Sequence, residues 1–360
     1  MGNSKTIMNE ELRIKNEGRT EPLPNSSIHP TLVQRTNMAL DHLDVMRESK
    51  LLIAVSGGPD SLALLHVLRS LQSNGVFQNI AVAHVNHCLR EPASDVEENA
   101  VRRYCQEWKI PFFTKRAQTA EIAEQEKTGI EETARKLRYQ FFEELIQSQG
   151  FDFVLTAHTA NDQAETVILN MIRGAGVRGL AGIPQKRKLG YGYIIRPWLN
   201  VTKAEIKEYL QKHNIVAEHD SSNDELTYQR NRVRHKVMPV LTDVWPDRSP
   251  IMALAALAMR MRELSYFLDQ LAKEKLEFLA NDGGLSLDGL RAIHGFLLHA
   301  IIETWIHREF GHYGLTSEEI SRIEAWLDSI SPRMELRRGL SLRKDGHILR
   351  LESDGRYPTE

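Results

Sequence analysis

The chain is predicted to be an α/β protein, with a parallel sheet first and a smaller, mainly helical C-terminal region after it. Three observations predict this. Apolar runs at 51–55, 80–85, 111–115, 153–157 and 193–197 have the length and composition of buried strands. Helical patterns at 94–108, 130–148 and 161–173 fill the intervals, and such alternation gives a parallel sheet covered on both faces. Beyond residue 250 the character changes, and Leu254, Leu257, Met261, Leu264, Leu268 and Leu271 recur at helical spacing.

Residues 1–30 are polar and charged and close on Pro24-Asn25-Ser26-Ser27 and Pro30, which reads as a flexible tail. Met1-Gly2 with Thr6 matches a short myristoylation pattern, but a polar leader is the simpler reading. The strand Leu51-Leu52-Ile53-Ala54-Val55 runs into Ser56-Gly57-Gly58-Pro59-Asp60-Ser61, and a helix carrying Leu62, Leu64, Leu65 and Leu68 follows. His84-Val85-Asn86-His87 closes the second strand and His158 follows the fourth. Open α/β sheets bind ligands beyond the carboxyl ends of their strands, so these segments are expected on one rim. Thr202 with Glu205 forms a capping box for a helix over 203–213. Pro239, Pro246 and Pro250 punctuate the chain and place a domain over 31–245. A second, over 250–360, is expected to hold helices at 251–281, at about 286–310 and after Thr316, then a hairpin within 334–351 turning at Asp345-Gly346.

Composition narrows the function classes. The 360 residues carry a formal net charge of -2, which leaves nucleic-acid binding open because such binding depends on local patches. No apolar run reaches about 18 residues and the N-terminus lacks an apolar signal segment, so neither a membrane span nor export is expected. Cys88 and Cys105 form no CxxC, which disfavours a disulfide framework and a cysteine-rich metal centre and makes a reducing cytoplasm the default.

The segment Ser56-Gly57-Gly58-Pro59-Asp60-Ser61 reads as a phosphate cradle. Its glycines let the backbone turn and approach a ligand closely, Pro59 suits a first helical position, and a helix N-terminus aims N–H groups at an anion. The usual P-loop ends in Gly-Lys-Ser/Thr; Asp60 stands here in place of that lysine. A carboxylate beside a triphosphate is repulsive unless Mg²⁺ lies between them, so Asp60 is the expected metal ligand. Ser56 and Ser61 are expected to donate to phosphate oxygens. His84 and His87 lack a cysteine or carboxylate partner at metal spacing and fit the wall of a nucleotide pocket better than a zinc site. Arg135 and Arg138 share a helical face, as do Asp162 and Glu165. Arg230, Arg232 and Arg234, with His235 and Lys236, are dense enough for phosphate contact on RNA or ATP. Arg187 between Lys186 and Lys188, with Tyr191 and Tyr193 nearby, is a second basic spot.

Ser-Gly-Gly-Pro-Asp-Ser resembles the pyrophosphatase loop of the N-type ATP pyrophosphatases, a group that includes GMP and NAD synthetases, tRNA thiolation enzymes and tRNA(Ile)-lysidine synthetases. Four further segments resemble the last of these families: His84 to Arg90, Gly129 to Tyr139, Thr156 to Thr166 with Arg173-Gly174-Ala175-Gly176, and Asp220-Ser221-Ser222-Asn223 through Arg230 to His235. The resemblance covers roughly residues 50–240 and fades after about 250. It implies a Rossmann-like PP-loop ATPase domain that cleaves ATP between the α- and β-phosphates, with Mg²⁺, and adenylates the wobble cytidine of a CAU-anticodon tRNA(Ile). L-lysine then displaces AMP. It implies that Ser56 to Ser61 and His84 bind ATP, that Arg138 acts at the α-phosphate, and that Asp162 and Glu165 line the lysine site. It also implies tRNA contact by the C-terminal region and, as is common in the family, a homodimer. A thiolase of the same group, or a non-catalytic ATP- or RNA-binding module, are the alternatives.

Overall fold

The computed structural model describes residues 30–89, 92–216, 229–311 and 315–355. The expected tail over 1–29, Arg90 and Asp220-Ser221-Ser222-Asn223 lie outside the described residues.

A six-stranded sheet forms the first layer, in the order β3-β2-β1-β4-β6-β5. Its strands are β1 (Leu51–Ala54), β2 (Ile80–Asn86), β3 (Phe112–Arg116), β4 (Phe153–Leu155), β5 (Lys186–Leu189) and β6 (Gly192–Ile195). Leu51 pairs in parallel with Ile80 of β2 on one side and Phe153 of β4 on the other. The chain runs outward from β1 to β3 and then returns to β1's other flank, so a crevice opens at the carboxyl ends of β1 and β4. Only β5 runs antiparallel, paired to β6. Its sequence, Lys-Arg-Lys-Leu, has no apolar alternation, and it is a strand because an edge needs partners on one side alone.

The strand pleat sorts the core. Leu51 and Ile53 point into a cluster with α1 (Leu32–His42), α2 (Pro59–Ser73), α3 (Ala93–Trp108) and the later helix α8, whereas Leu52 points to the opposite face. There it meets Phe141, Phe142, Leu145 and Ile146 of α5 (Ile130–Gln149). A short α4 (Thr119–Glu126), absent from the sequence reading, precedes α5; eight residues carry too little periodicity to announce it. Then come α6 (Ala160–Ile172), α7 (Val177–Leu180) and α8 (Lys203–Lys212), the last opened by the expected Thr202–Glu205 capping box. Next, α9 (Gln229–Arg232), a π-helical turn over Val233–Val237 and α10 (Met238–Val244) return the chain to α6.

A 30-residue helix, α11 (Pro250–Leu279), packs its first turns on α6, where Ile251 and Leu254 meet Ala164 and Ile168, and its later turns against α13 (Gly295–Phe310). The helix expected at about 286–310 is broken. Asp282 and Gly283 have positive φ, so the chain turns back as β7 (Ala280–Asn281) and β8 (Gly284–Ser286) before Ser286 caps α12 (Leu287–Arg291). After α14 (Ser317–Leu327) come β9 (Arg333–Glu335), β10 (Leu340–Asp345) and β11 (Ile348–Ser353). The expected hairpin β10–β11 is thus the centre of a sheet ordered β7-β8-β11-β10-β9. Its strands and α13 enclose a second core around Ile301, Trp305, Leu340 and Leu349. No helix among the described residues is long and apolar enough to cross a membrane.

Candidate active site

The loop after β1 is wired by its own serines. Ser61 Oγ accepts from the Ser56 backbone N–H at 3.2 Å, donates to the Gly58 carbonyl at 2.9 Å and lies 3.2 Å from Ser56 Oγ. Gly57 sits at φ +98°, where L side chains are strained, and a Cβ there would press on Glu97 Cβ at 3.3 Å. Pro59 opens α2 and Gly58 caps it without a side-chain bond, which leaves the first N–H groups of the helix for a ligand. The loop forms one wall of a cavity of about 710 Å³. Asp60, His87, Arg135, Arg138, Tyr139, Thr156, His158, Asp162, Lys203, Lys207 and Arg234 complete its polar lining. Cations outnumber carboxylates there, as a polyphosphate requires.

Asp60 has Lys203 Nζ at 3.5 Å. Burial raises its pKa and nearby Asp162 adds to the rise, against the pull of Lys203. A half-buried carboxylate with one flexible ammonium beside it is a strong acceptor for a further cation.

Asp162 and Glu165 come from the first turns of α6. Thr159 caps this helix, and Asp162 Oδ2 accepts from both its N–H and its Oγ1 at 2.8 Å. That capping box engages Oδ2 and leaves Asp162 Oδ1 for Arg230, whose Nη2 donates to it at 3.2 Å. Glu165, 2% exposed, accepts from Arg230 Nε at 2.8 Å and from Arg234 Nε at 2.7 Å and Nη2 at 3.1 Å. Burial alone would raise the Asp162 pKa, but Arg230, Lys203 and the cap outweigh it and hold the carboxyl down to about 2. Arg230 and Arg234 stand four residues apart across α9 and the π-helical turn, on one face, so that both reach one glutamate.

A family profile described as a PP-loop domain matches residues 30–241. The chain belongs to the PP-loop family. The relative named "Bifunctional protein TilS/HprT" of Listeria innocua is 46% identical over 211 residues, 58% of this chain and 32% of that protein. A tRNA(Ile)-lysidine synthase of Coxiella burnetii is 37% identical over 259 residues, 72% of this chain and 56% of that enzyme. The chain therefore spans 32% and 56% of the lengths of these two relatives. A solved U34-tRNA thiolase, NcsA from Methanococcus maripaludis, matches with a TM-score of 0.52 and 17% identity over 64% of this chain and 78% of that one, which shows the PP-loop fold alone.

The structure brings most of the expected residues of this PP-loop protein to one cavity: Ser56, Gly58, Pro59, Asp60, Ser61, Arg138, Asp162 and Arg234 line it. Glu165 and Arg230 sit directly behind Asp162. Three placements depart from the sequence reading. His84 is 3% exposed and off the cavity wall; its Nδ1 is 2.8 Å from the Val55 carbonyl, so it braces the last residue before the loop, and His87 takes the wall position instead. Arg230 and Arg234, expected at phosphates, are counter-ions of the carboxylates expected to hold lysine, because burial of Glu165 demands compensation. Arg232 is exposed and away from the cavity. Lys203 was missed: its only sequence signal was its place after Thr202, at the start of a helix that follows the last sheet strand.

Two imidazoles on the wall stay neutral. Burial, with Arg138 nearby, lowers His87 to about 4, and burial, with Arg196, Arg230 and Arg138, takes His158 to about 3 against the pull of Asp162. The unfolded chain binds protons at these rings below the ordinary value of 6.5, while the folded chain does not. Stability is therefore complete above pH 6.5 and is lost as pH falls toward about 4. At pH 5 the loss is on the order of 2 kcal/mol per histidine, read as a falling thermal midpoint that His87→Gln or His158→Gln flattens.

Proposed function

We propose that the protein is a tRNA(Ile)-lysidine synthetase acting in the cytoplasm. The observation that carries the reading is the convergence on one cavity of Asp60, in a phosphate-binding loop after β1, and the capped carboxylate Asp162, backed by Glu165, after the neighbouring parallel strand β4. The substrates are ATP, L-lysine and tRNA(Ile) with a CAU anticodon. In the first step the C2 oxygen of the wobble cytidine bonds to the α-phosphorus of ATP and pyrophosphate leaves with the electrons of the broken P–O bond. In the second, the lysine ε-amine, having lost a proton, bonds to C2 and expels AMP.

The residues divide this work. N–H groups of the loop and the hydroxyls of Ser56 and Ser61 hold the β- and γ-phosphates. The Arg138 guanidinium, which forms no ion pair among the described residues, faces the α-phosphate and stabilises charge as it builds. Asp60, at the loop and on the cavity wall, would be the residue that holds a Mg²⁺ ion. When bound, Mg²⁺ neutralises the departing pyrophosphate. Asp162 and Glu165, each paired with arginine, attract the lysine ammonium. Residues 31–245 would then form the catalytic domain and 250–360 the part that grips the tRNA body.

The thiolase alternative needs a reactive sulfur. Cys105 is buried with its thiol pushed up to about 12, so it is inert at neutral pH. Incubation with ATP, labelled lysine and tRNA(Ile) transcripts bearing CAU or GAU tests the proposal. Label is expected in the CAU transcript alone, and no label in either one overturns the reading.

A further inference from the structure

Beside the cavity, four guanidiniums gather with no carboxylate in an ion pair with any of them among the described residues. Arg196 follows β6 and is 1% exposed. Its Nη1 donates to the Pro184 carbonyl at 2.6 Å and its Nη2 to the Tyr139 hydroxyl at 3.2 Å, while its Nε is buried without a partner. Arg135 and Arg187 place their Cζ atoms 4.7 and 4.8 Å from the centroid of the same Tyr139 ring. Arg138 lies one residue before that tyrosine, on the cavity wall. None of the four forms an ion pair among the described residues, and Glu131, which attracts Arg138, is exposed. Stacking on one ring and a shared phenol hold the cluster together, yet a buried guanidinium beside like charges is costly to keep without an anion.

We propose that Arg135 and Arg187, arranged around Tyr139 and backed by the buried charge of Arg196, form a subsite for a backbone phosphate of the RNA strand that presents the base to the cavity. This rests on the reading of the substrate as RNA. Position separates the subsite from the ATP phosphates. Arg187 lies on β5, three strand positions from β1, whose end carries the loop, which is about 14 Å across the sheet. A triphosphate anchored on the loop points its charge at Asp60 and Arg138, whereas a polymer crossing the sheet edge meets Arg187 first. Tyr139 and Arg135 line the cavity itself, so a phosphate held there sits at the entrance where an unstacked nucleotide must pass.

The test is Arg187→Gln in the full chain, a change at an exposed side chain. Affinity for a tRNA(Ile) CAU transcript is measured across KCl concentrations, and ATP affinity is measured separately without RNA. The expected result is RNA binding weakened about tenfold near 0.1 M salt, with the log–log salt slope reduced by about one, and ATP affinity unchanged. Unchanged RNA affinity and slope overturn the proposal, as does a loss confined to ATP, which assigns the cluster to the nucleotide. If wild-type protein binds RNA through Arg187 but transfers no lysine, the lysidine reading fails and the phosphate subsite stands.

Discussion

Asp60→Ala abolishes transfer of AMP to RNA, lowering the rate by at least about three orders of magnitude, while RNA affinity is retained. Metal-borne charge at a departing phosphate is worth several kcal/mol, and about 4 kcal/mol corresponds to a thousandfold. No other carboxylate takes over, because Asp162 is committed to the α6 cap and to Arg230. The variant also releases Lys203, whose Nζ lies 3.5 Å from Asp60. That ammonium is then free for the triphosphate, so affinity for ATP without Mg²⁺ holds or rises even as turnover stops. This split separates the metal role from a merely structural one. Asp60→Asn, which keeps the shape, behaves as Asp60→Ala does. ATP-dependent pyrophosphate release at the wild-type rate in either variant would rule out the metal role.

The second large effect belongs to Glu165. Glu165→Gln leaves adenylation within a few-fold of wild type and lowers lysine transfer by about a hundredfold, because a neutral amide no longer attracts an ammonium. Glu165→Ala shows the same split with a further loss of stability of about 3–5 kcal/mol, since Arg230 and Arg234 keep their charge and lose their main acceptor. Single-turnover formation of adenylated tRNA, followed by a lysine chase, reads the steps apart. Failure of adenylation with lysine affinity intact would remove Glu165 from the lysine site.

The parallel sheet was legible because each buried strand is short, apolar and bounded by helical periodicity; β1, β2 and β4 need nothing beyond their own residues to be recognised. β5 was not, since Lys186-Arg187-Lys188 carries no buried face and is extended only because β6 offers it a partner. The C-terminal sheet stayed hidden for a related reason: β7, β8 and β9 have two or three residues each, below the length at which alternation can be counted. In the site, the loop and Asp60 could be read from local spacing, whereas Arg138 and Asp162, whose spacing shows only a shared helical face, were singled out by the family resemblance. The pairing of Arg230 and Arg234 with Glu165 could not be read, because it joins residues 65 and 69 positions apart. His84 was misplaced by the same limit: the pleat decides which histidine of His84-Val85-Asn86-His87 faces the cavity, and the strand runs through Asn86 before releasing His87.

The long helix α11 has a mechanical consequence. Its 30 residues make a rod of about 45 Å, and after Pro250 it contains neither glycine nor proline at which to bend. One end lies on α6, the helix that bears Asp162 and Glu165, and the other lies on α13 in the C-terminal layer. Arg262 pins its middle to the Ile183 carbonyl, and Arg178 ties its later turns to Asp269. One unbent helix thus joins the C-terminal layer directly to the helix that carries the two carboxylates.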